Sequence, residues 1–347
     1  MSRGFLLTAS VAILLTAGTA GWCDSSGVDA DYAFQTSSFM RQTAYRDSSK
    51  EATDIDSNGA CSKVNEDYDA NHSGTWYIEQ QREGWHAIAA GLADSDTDAI
   101  DRGFKIFDWG WQQQQSDGGF QCGGLGRSFH STSFFVEAVA HACLLIQASP
   151  YASRYQSQVD AMKPKLLAAA KWMVSVEDVG KKYNDPYTHR RYLVADALGE
   201  TGVLLRDHEL IDHSREYVRD GLRRQDPSGF NPEKGGYDIS YNSVGLNYAE
   251  RYYMIVADDE LKRRISEMLK KDTAWMSTFI RPDGSVDISG STRINGANSE
   301  IGPNGTRKKL AVSEVYESLD GWAQISGDNS YADLALKVAR CPRSKDE

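Results

Sequence analysis

Ten consecutive residues, Tyr183-Asn184-Asp185-Pro186-Tyr187-Thr188-His189-Arg190-Arg191-Tyr192, bring together an amide, three phenols, an imidazole and two guanidinium groups. Imidazole and phenol are groups that accept and return a proton during a reaction. A guanidinium fork matches a carboxylate with two parallel hydrogen bonds. Binding and deprotonating an acidic sugar needs this combination, so His189 is a candidate for proton transfer and Asn184, Tyr187, Arg190 and Arg191 are candidates for binding. Pro186 stops any helix that precedes it, which predicts a loop opening into the next helix. A solvated loop of chance composition is the competing reading.

Three more clusters share this character. In Gly235-Gly236-Tyr237-Asp238-Ile239-Ser240-Tyr241-Asn242, Asp238 or Ser240 makes a good helix N-cap. Tyr241 then falls in the first helical turn, where its phenol can reach a cleft. Tyr248 lies two turns along the same face, with Asn242 and Arg251 nearby, although tyrosines on such a face are often packing. In Ser289-Gly290-Ser291-Thr292-Arg293, continuing to Glu300, the chain is too polar to pack and too long for a plain connector. Arg293 there is placed to neutralise a carboxylate and Glu300 to contact substrate; Arg307 to Lys309 read equally well as a solvated helix start. Finally, a glycine-rich stretch from Gly123 delivers His130 to a helix that carries Glu137 seven residues on, two turns along the same face. His130 either assists in the site or caps the helix.

The elements that must position these groups are helical. Apolar residues recur at spacings of three and four in about ten segments between Trp85 and Val338, joined by short Gly, Pro and Asp loops. Turns after helical runs, at Asp117-Gly118, Ser228-Gly229 and Asp283-Gly284, are spaced by 111 and 55 residues, two units and one of a helical hairpin. Only Ser285 to Ser289 alternates like a strand. These features predict an all-α fold, an incomplete or complete α/α toroid over residues 76–347, with the glycine turns and the site residues on one common face. An irregular helical bundle without a cleft is the alternative.

Residues 1–21 have one early positive charge (Arg3), a short apolar core and a small-residue exit, the pattern of a secretory signal peptide. Trp22 before Cys23 fits a lipobox poorly, so a secreted, soluble product is expected, extracellular or periplasmic. Residues 22–75 read as a polar, loosely structured leader. The apolar core of the signal peptide is too short to span a bilayer, and no later segment is expected to be long enough. The net charge of −11 excludes the broad basic face that nucleic acid would require. An anionic partner must therefore be met by a local cationic patch. The five cysteines lack metal-ligand spacing; Cys61 and Cys122 are the favoured pair for a bridge, and Cys143 reads as a buried free thiol. Sequons stand at Asn71 and Asn304. No metal or cofactor is demanded, and nucleophile-elbow, phosphate-loop and dinucleotide motifs are absent.

The phrases Ser116-Asp117-Gly118-Gly119-Phe120, Phe129-His130-Ser131-Thr132 and Gly236-Tyr237-Asp238-Ile239-Ser240-Tyr241, with the helical repeat and leader, resemble secreted α/α-toroid polysaccharide lyases. The group resembled degrades alginate and glucuronan, the small mannuronan/glucuronan lyase family in particular, and the resemblance covers roughly residues 76–340. The Asn-Asn-His-Ser-Tyr-Trp signature of one alginate lyase family is absent, which leaves the identities of base and acid open. The resemblance implies β-elimination beside a uronic acid in an anionic polysaccharide. Arg293, Asn184, Arg190 or Arg191 would neutralise the carboxylate, Tyr241 and His189 would serve as base and acid in either order, and His130 would assist. A glycoside hydrolase using two of Asp117, Glu137, Asp238 and Glu300, or a non-catalytic carbohydrate-binding protein, would also suit the fold.

Overall fold

Short links fold each outer helix back on the inner helix before it. The computed structural model describes residues 47–61, 63–64, 75–76, 78–121, 128–301 and 307–342, all within a compact unit spanning Phe34–Glu347. In chain order the helices are α1 (Glu83–Asp94), α2 (Thr97–Gln112), α3 (Phe129–Gln147), α4 (Ala152–Ser175), α5 (Glu177–Asn184), α6 (His189–Leu205), α7 (His208–Arg224), α8 (Ile239–Ile255), α9 (Asp259–Ser277), α10 (Val312–Ser326) and α11 (Asn329–Arg340). Five antiparallel hairpins result: α1/α2, α3/α4, α6/α7, α8/α9 and α10/α11. Their first members touch in series, α1 to α3 to α6 to α8 to α10, and their second members lie outside them. This is the expected α/α toroid. The eleventh helix is short α5, inserted between the second and third hairpins. A small antiparallel ribbon pairs Lys63–Val64 with Thr75–Trp76. Where a strand was expected near Ser285, a single bridge joins Ile280 to Val286 across the turn.

Layer follows composition. Inner helix α3 is buried on nearly every side, from Phe129 through Cys143, whereas outer helix α7 buries only a stripe that includes Leu210, Ile211, Tyr217 and Val218. A helix apolar all round belongs inside and an amphipathic one at the surface. Helix α3 corrects one expectation: it is long and apolar enough to cross a membrane, but it is packed among neighbouring helices, with Phe129 through Cys143 all buried. Aspartates cap the helix starts. Asp96, Asp207, Asp258 and Asp328 each accept from a first-turn backbone N–H.

The glycine turns carry the repeat. Gly118, Gly229 and Gly284 all have positive φ, and each sits on the backbone of the next outer helix. A Cβ on Gly229 would stand 2.8 Å from the Lys271 carbonyl oxygen, and those on Gly118 and Gly284 would press into the Ala168 and Lys337 carbonyls. A fourth copy, unremarked in the sequence, lies at Gly59 against Lys105. The double interval arises because α5 replaces the turn after α4. Each of these three turns follows an outer helix, so all lie at the end where the inner helices begin. Replacing Gly229 by Ala combines unfavourable φ with a backbone clash. It is expected to destabilise the fold by about 1–3 kcal/mol, read as a lowered urea midpoint; an unchanged midpoint would contradict this packing.

Part of the polar N-terminal stretch is held firmly. Arg102 donates to the carbonyls of Ser48 (2.6 Å) and Glu51 (3.1 Å), and Gln81 exchanges two bonds with the Cys61 backbone (2.9 and 3.0 Å). Cys143 is buried beside Met162, and burial pushes its thiol pKa up to about 12. The expected signal peptide, Cys23, Cys122, the sequons at Asn71 and Asn304, and the stretch from Gly123 to Arg127 lie outside the described residues.

Candidate active site

The starts of α6 and α8 meet the long loop before α10, and the local bonding fixes each side chain. His189 opens α6. Its backbone N–H donates to Glu233 Oε1 (2.9 Å), and its Nδ1 lies 2.8 Å from the same oxygen. Glu233 comes from the turn before α8, which Thr188 also grips by donating to the Pro232 carbonyl at 2.7 Å. Gly245 on α8 packs against His189; a Cβ there would come within 3.2 Å of the His189 Cα and Cβ. Asp238 then does two jobs. One oxygen caps α8 by accepting from Tyr241 N–H (3.0 Å), and the other accepts from the N–H groups of Arg293 and Ile294 (2.8 Å each). A single buried carboxylate thus sets Tyr241 and Arg293 in register.

The three side chains converge. The Arg293 guanidinium lies 3.5 Å from the centroid of the Tyr241 ring, and the rings of His189 and Tyr241 are 4.9 Å apart. Lys308 Nζ donates to the Tyr241 hydroxyl at 3.1 Å. Glu300 ties the cations together, accepting from Arg293 Nε (3.0 Å), Lys308 (2.9 Å) and Lys234. Tyr187 stacks between guanidinium groups, 4.0 Å from Arg190 and 5.0 Å from Arg293. The adjoining cleft, of about 280 Å³, is lined by His189, Tyr241 and Lys308 together with Arg82, Trp85, His130, Arg190, Tyr248 and Arg251. An acidic protein has built a basic cleft.

That field acts on the titratable groups. Burial, reinforced by the charges of Arg190, Arg293 and Lys308, holds the His189 pKa well below the usual imidazole value. Burial and the charges of Arg190, Arg82 and Arg293 do the same to His130, whose Nε2 lies 3.5 Å from Glu79. Burial raises Glu233 to about 8, against the opposing bond from His189 N–H and the charge of Arg293. Glu300 goes the other way. Its partial burial is outweighed by the bonds from Lys234 and Lys308 and the charge of Arg293, and its pKa falls to about 2.

Four sequence expectations need correction. Tyr183 and Asn184 lie on helix α5, not in a loop, and Asn184 is buried with Oδ1 accepting from Arg190 (3.2 Å). Its role is to hold Arg190. Arg191 turns away from the cleft towards outer helix α7, where it is buried and pairs with Asp220 (2.9 Å) and Asp185 (3.4 Å), because adjacent positions on a helix point about 100° apart. Asn242 likewise turns away from Tyr241 into the core, donating to Asp272 at 2.5 Å. Glu137 is buried beneath the cleft, in a 2.6 Å ion pair with Arg251. Tyr248 and His130 line the cleft, and Glu300 organises its cations. Sequence reasoning passed over Glu233 and left Lys308 as a helix start. Pro232 before Glu233-Lys234 and the Gly235-Gly236 pair after it were the available signal for that turn.

Among the described residues, two groups have metal-ligand geometry, Glu51/Glu83/His86 and Glu137/His141/Glu200, and neither includes Tyr241, His189 or Arg293.

No protein-family model matches the chain, and no curated protein matches it. Several solved structures resemble it in fold. A chondroitin AC lyase mutant from Streptomyces coelicolor A3 is 10% identical with a TM-score of 0.49, covering 91% of this chain, which spans only 42% of that protein's length. A D-mannose isomerase is 11% identical (TM-score 0.48; 88% of this chain, 84% of that one). A GH family 9 endoglucanase, J30, is 15% identical (TM-score 0.45; 89% and 66%). At these identities the likeness concerns the arrangement of helices alone.

Proposed function

We propose that the protein is an exported polysaccharide lyase that cleaves a uronic-acid-containing chain, alginate/mannuronan or glucuronan, by β-elimination. The observation that carries this reading is that a neutral imidazole (His189) and a phenol (Tyr241) line a basic cleft, with the Arg293 guanidinium packed against the phenol ring. Breaking the bond requires removing the proton at C5, and the ionised carboxylate on that carbon opposes the removal. A cation must therefore offset the charge that builds up on the carboxylate, while one group takes the proton and another returns one to the departing oxygen. Arg293 is positioned for the first task. The Nδ1 of His189 faces Glu233, which leaves Nε2 as the base. Tyr241 serves as the acid, and Lys308 on its hydroxyl offsets charge left on the phenol oxygen after donation. Arg190, Tyr187 and Tyr248 bind the sugar chain.

The four carboxylates expected to serve a glycoside hydrolase are each held in other contacts. Asp117 lies in a surface turn accepting from Gly119 N–H, Asp238 is consumed by three backbone N–H groups, and Glu137 and Glu300 are each in ion pairs. A panel of mannuronan, guluronan, glucuronan and neutral glucans distinguishes the readings. New ultraviolet absorbance from an unsaturated ring on a uronan supports the lyase. Reducing ends without that absorbance identify a hydrolase and overturn it, and binding without turnover identifies a binding protein.

A pH dependence follows. Below about 8 the Glu233 carboxyl keeps its proton and donates it to Nδ1, which forces the imidazole proton onto Nε2 and removes the base. Above that value the carboxylate accepts from Nδ1–H and Nε2 is bare. Activity is expected to rise through about pH 8 as this pair loses its proton. Gln in place of Glu233 keeps an acceptor for Nδ1–H without a titration, so Glu233→Gln should lose this rise in kcat/KM. A wild-type profile flat between pH 6 and 9 would refute the assignment of base to Nε2.

A further inference from the structure

Beneath the cleft floor, helices α3, α6 and α8 bring together ionisable groups that the elimination does not use. Glu137 and His141 stand four residues apart on α3, and Asp196 and Glu200 four apart on α6, so each pair shares a helix face. All four are buried, with exposures of 0–1%. A carboxylate oxygen of Glu137, a ring nitrogen of His141 and a carboxylate oxygen of Glu200 lie within 4.8 Å of one another. His141 Nδ1 is 2.9 Å from Glu200 Oε1, and Arg251 holds Glu137 from the other side at 2.6 Å. Glu200 Oε2 and both oxygens of Asp196 have no hydrogen-bond partner. Unsatisfied carboxylate oxygens buried in this way are costly unless a proton or a cation meets them.

The charges do not balance within the protein. When ionised, Glu137, Asp196 and Glu200 bring three negative charges against the single positive charge of Arg251, beside the His141 imidazole. The deficit equals one divalent cation. A neutral imidazole beside carboxylates suits Zn²⁺ or Mn²⁺ better than Ca²⁺ or Mg²⁺, which favour all-oxygen shells. We propose that Glu137, His141 and Glu200, with the charge of Asp196, form a buried structural site for one Zn²⁺ or Mn²⁺ ion that clamps α3 to α6. The ion would underpin the floor of the cleft, because Arg251, paired to Glu137, lies 4.4 Å from the Trp85 ring and both line it. The inference is independent of the reaction assigned to the cleft. The competing solution is two protons in place of the ion.

Elemental analysis separates the two. The full chain is produced in medium supplemented with Zn²⁺ or Mn²⁺, desalted without chelator, and compared with His141→Ala and Glu200→Gln variants. The site predicts about one equivalent of metal in the wild type and less than about a tenth in each variant, with helical circular dichroism retained by at least Glu200→Gln, the near-isosteric change. Prolonged chelation should lower the wild-type Tm by several degrees, and Zn²⁺ or Mn²⁺ alone should restore it, since an ion bound only by the folded state stabilises that state. A metal-free wild type from supplemented medium whose Tm ignores both metals overturns the proposal and leaves protons as the neutralising charge. Equal metal content in wild type and both variants also overturns it, because the ion would then lie elsewhere.

Discussion

Replacing Tyr241 by Phe is expected to lower kcat on a uronan by about 10²-fold or more, the scale on which general acid–base groups contribute. The substitution removes one oxygen and little else. Tyr241 sits in the first turn of α8 with its ring held between Arg293 and His189, and neither contact needs the hydroxyl. The backbone N–H of Tyr241, which bonds Asp238, is untouched. Stability should therefore stay within about 1 kcal/mol of wild type, since the lost bond is a single one to Lys308. The signature is a fall in kcat with KM and urea midpoint nearly constant. Undiminished activity in Tyr241→Phe would remove the phenol from the chemistry. The paired experiment is His189→Ala, which should be as slow. Glu300 is the control among the carboxylates: Glu300→Gln should loosen the cationic cluster and raise KM, whereas a hydrolase relying on that carboxylate as acid or base would lose turnover outright.

Why was the phenol legible in the sequence and Glu233 not? Tyr241, His189 and His130 each stand at the beginning of an inner helix just after a polar turn, and the hairpin period places all such turns at one end of the toroid. Glycine spacing and capping chemistry are local, so a single sequence displays them. The groups that hold these side chains are distant in the chain: Glu233 is 44 residues from His189, and Lys308 is 67 from Tyr241. No local pattern records such pairings; the stacking of hairpins creates them. Two of the misplaced residues share one cause. Arg191 and Asn242 were grouped with neighbours one position away, but a helix turns about 100° per residue, so one neighbour faces the cleft while the next faces Asp220 or Asp272. Glu137 has the right phase relative to His130 but the wrong depth. Seven residues along α3 carry it about 10 Å below the helix start, under the floor. Helix α5 was invisible for another reason. Pro186 does mark a boundary, but the helix ends at Asn184 before reaching it, so the loop it predicted is shortened to a turn.

Arg293 should prove the group most sensitive to a change that preserves charge. It is buried (2% exposed) and gripped on three sides: its N–H by Asp238, its Nε by Glu300 and its Nη1 at 3.7 Å from Glu233. Those partners aim the planar fork over Tyr241. Lysine retains the positive charge but has a single compact ammonium, so it can neither face Glu300 and a substrate carboxylate together nor lie flat over the phenol ring. If Arg293 offsets the charge that grows on the uronate as the C5 proton leaves, Arg293→Lys should lower kcat/KM by about 10²–10³-fold, roughly 3–4 kcal/mol of lost transition-state stabilisation. Most of the loss should appear in kcat, because the remaining cations of the cleft still attract the polymer. Arg293→Ala is the less informative variant, since it leaves Glu233 facing an empty space and risks the fold. A substrate with its carboxyl groups esterified sharpens the test. Esterification removes the charge that Arg293 must offset, so the penalty of Arg293→Lys on the ester should shrink by about tenfold or more relative to the free acid, whereas a general packing defect would slow both substrates equally and exclude this role for Arg293.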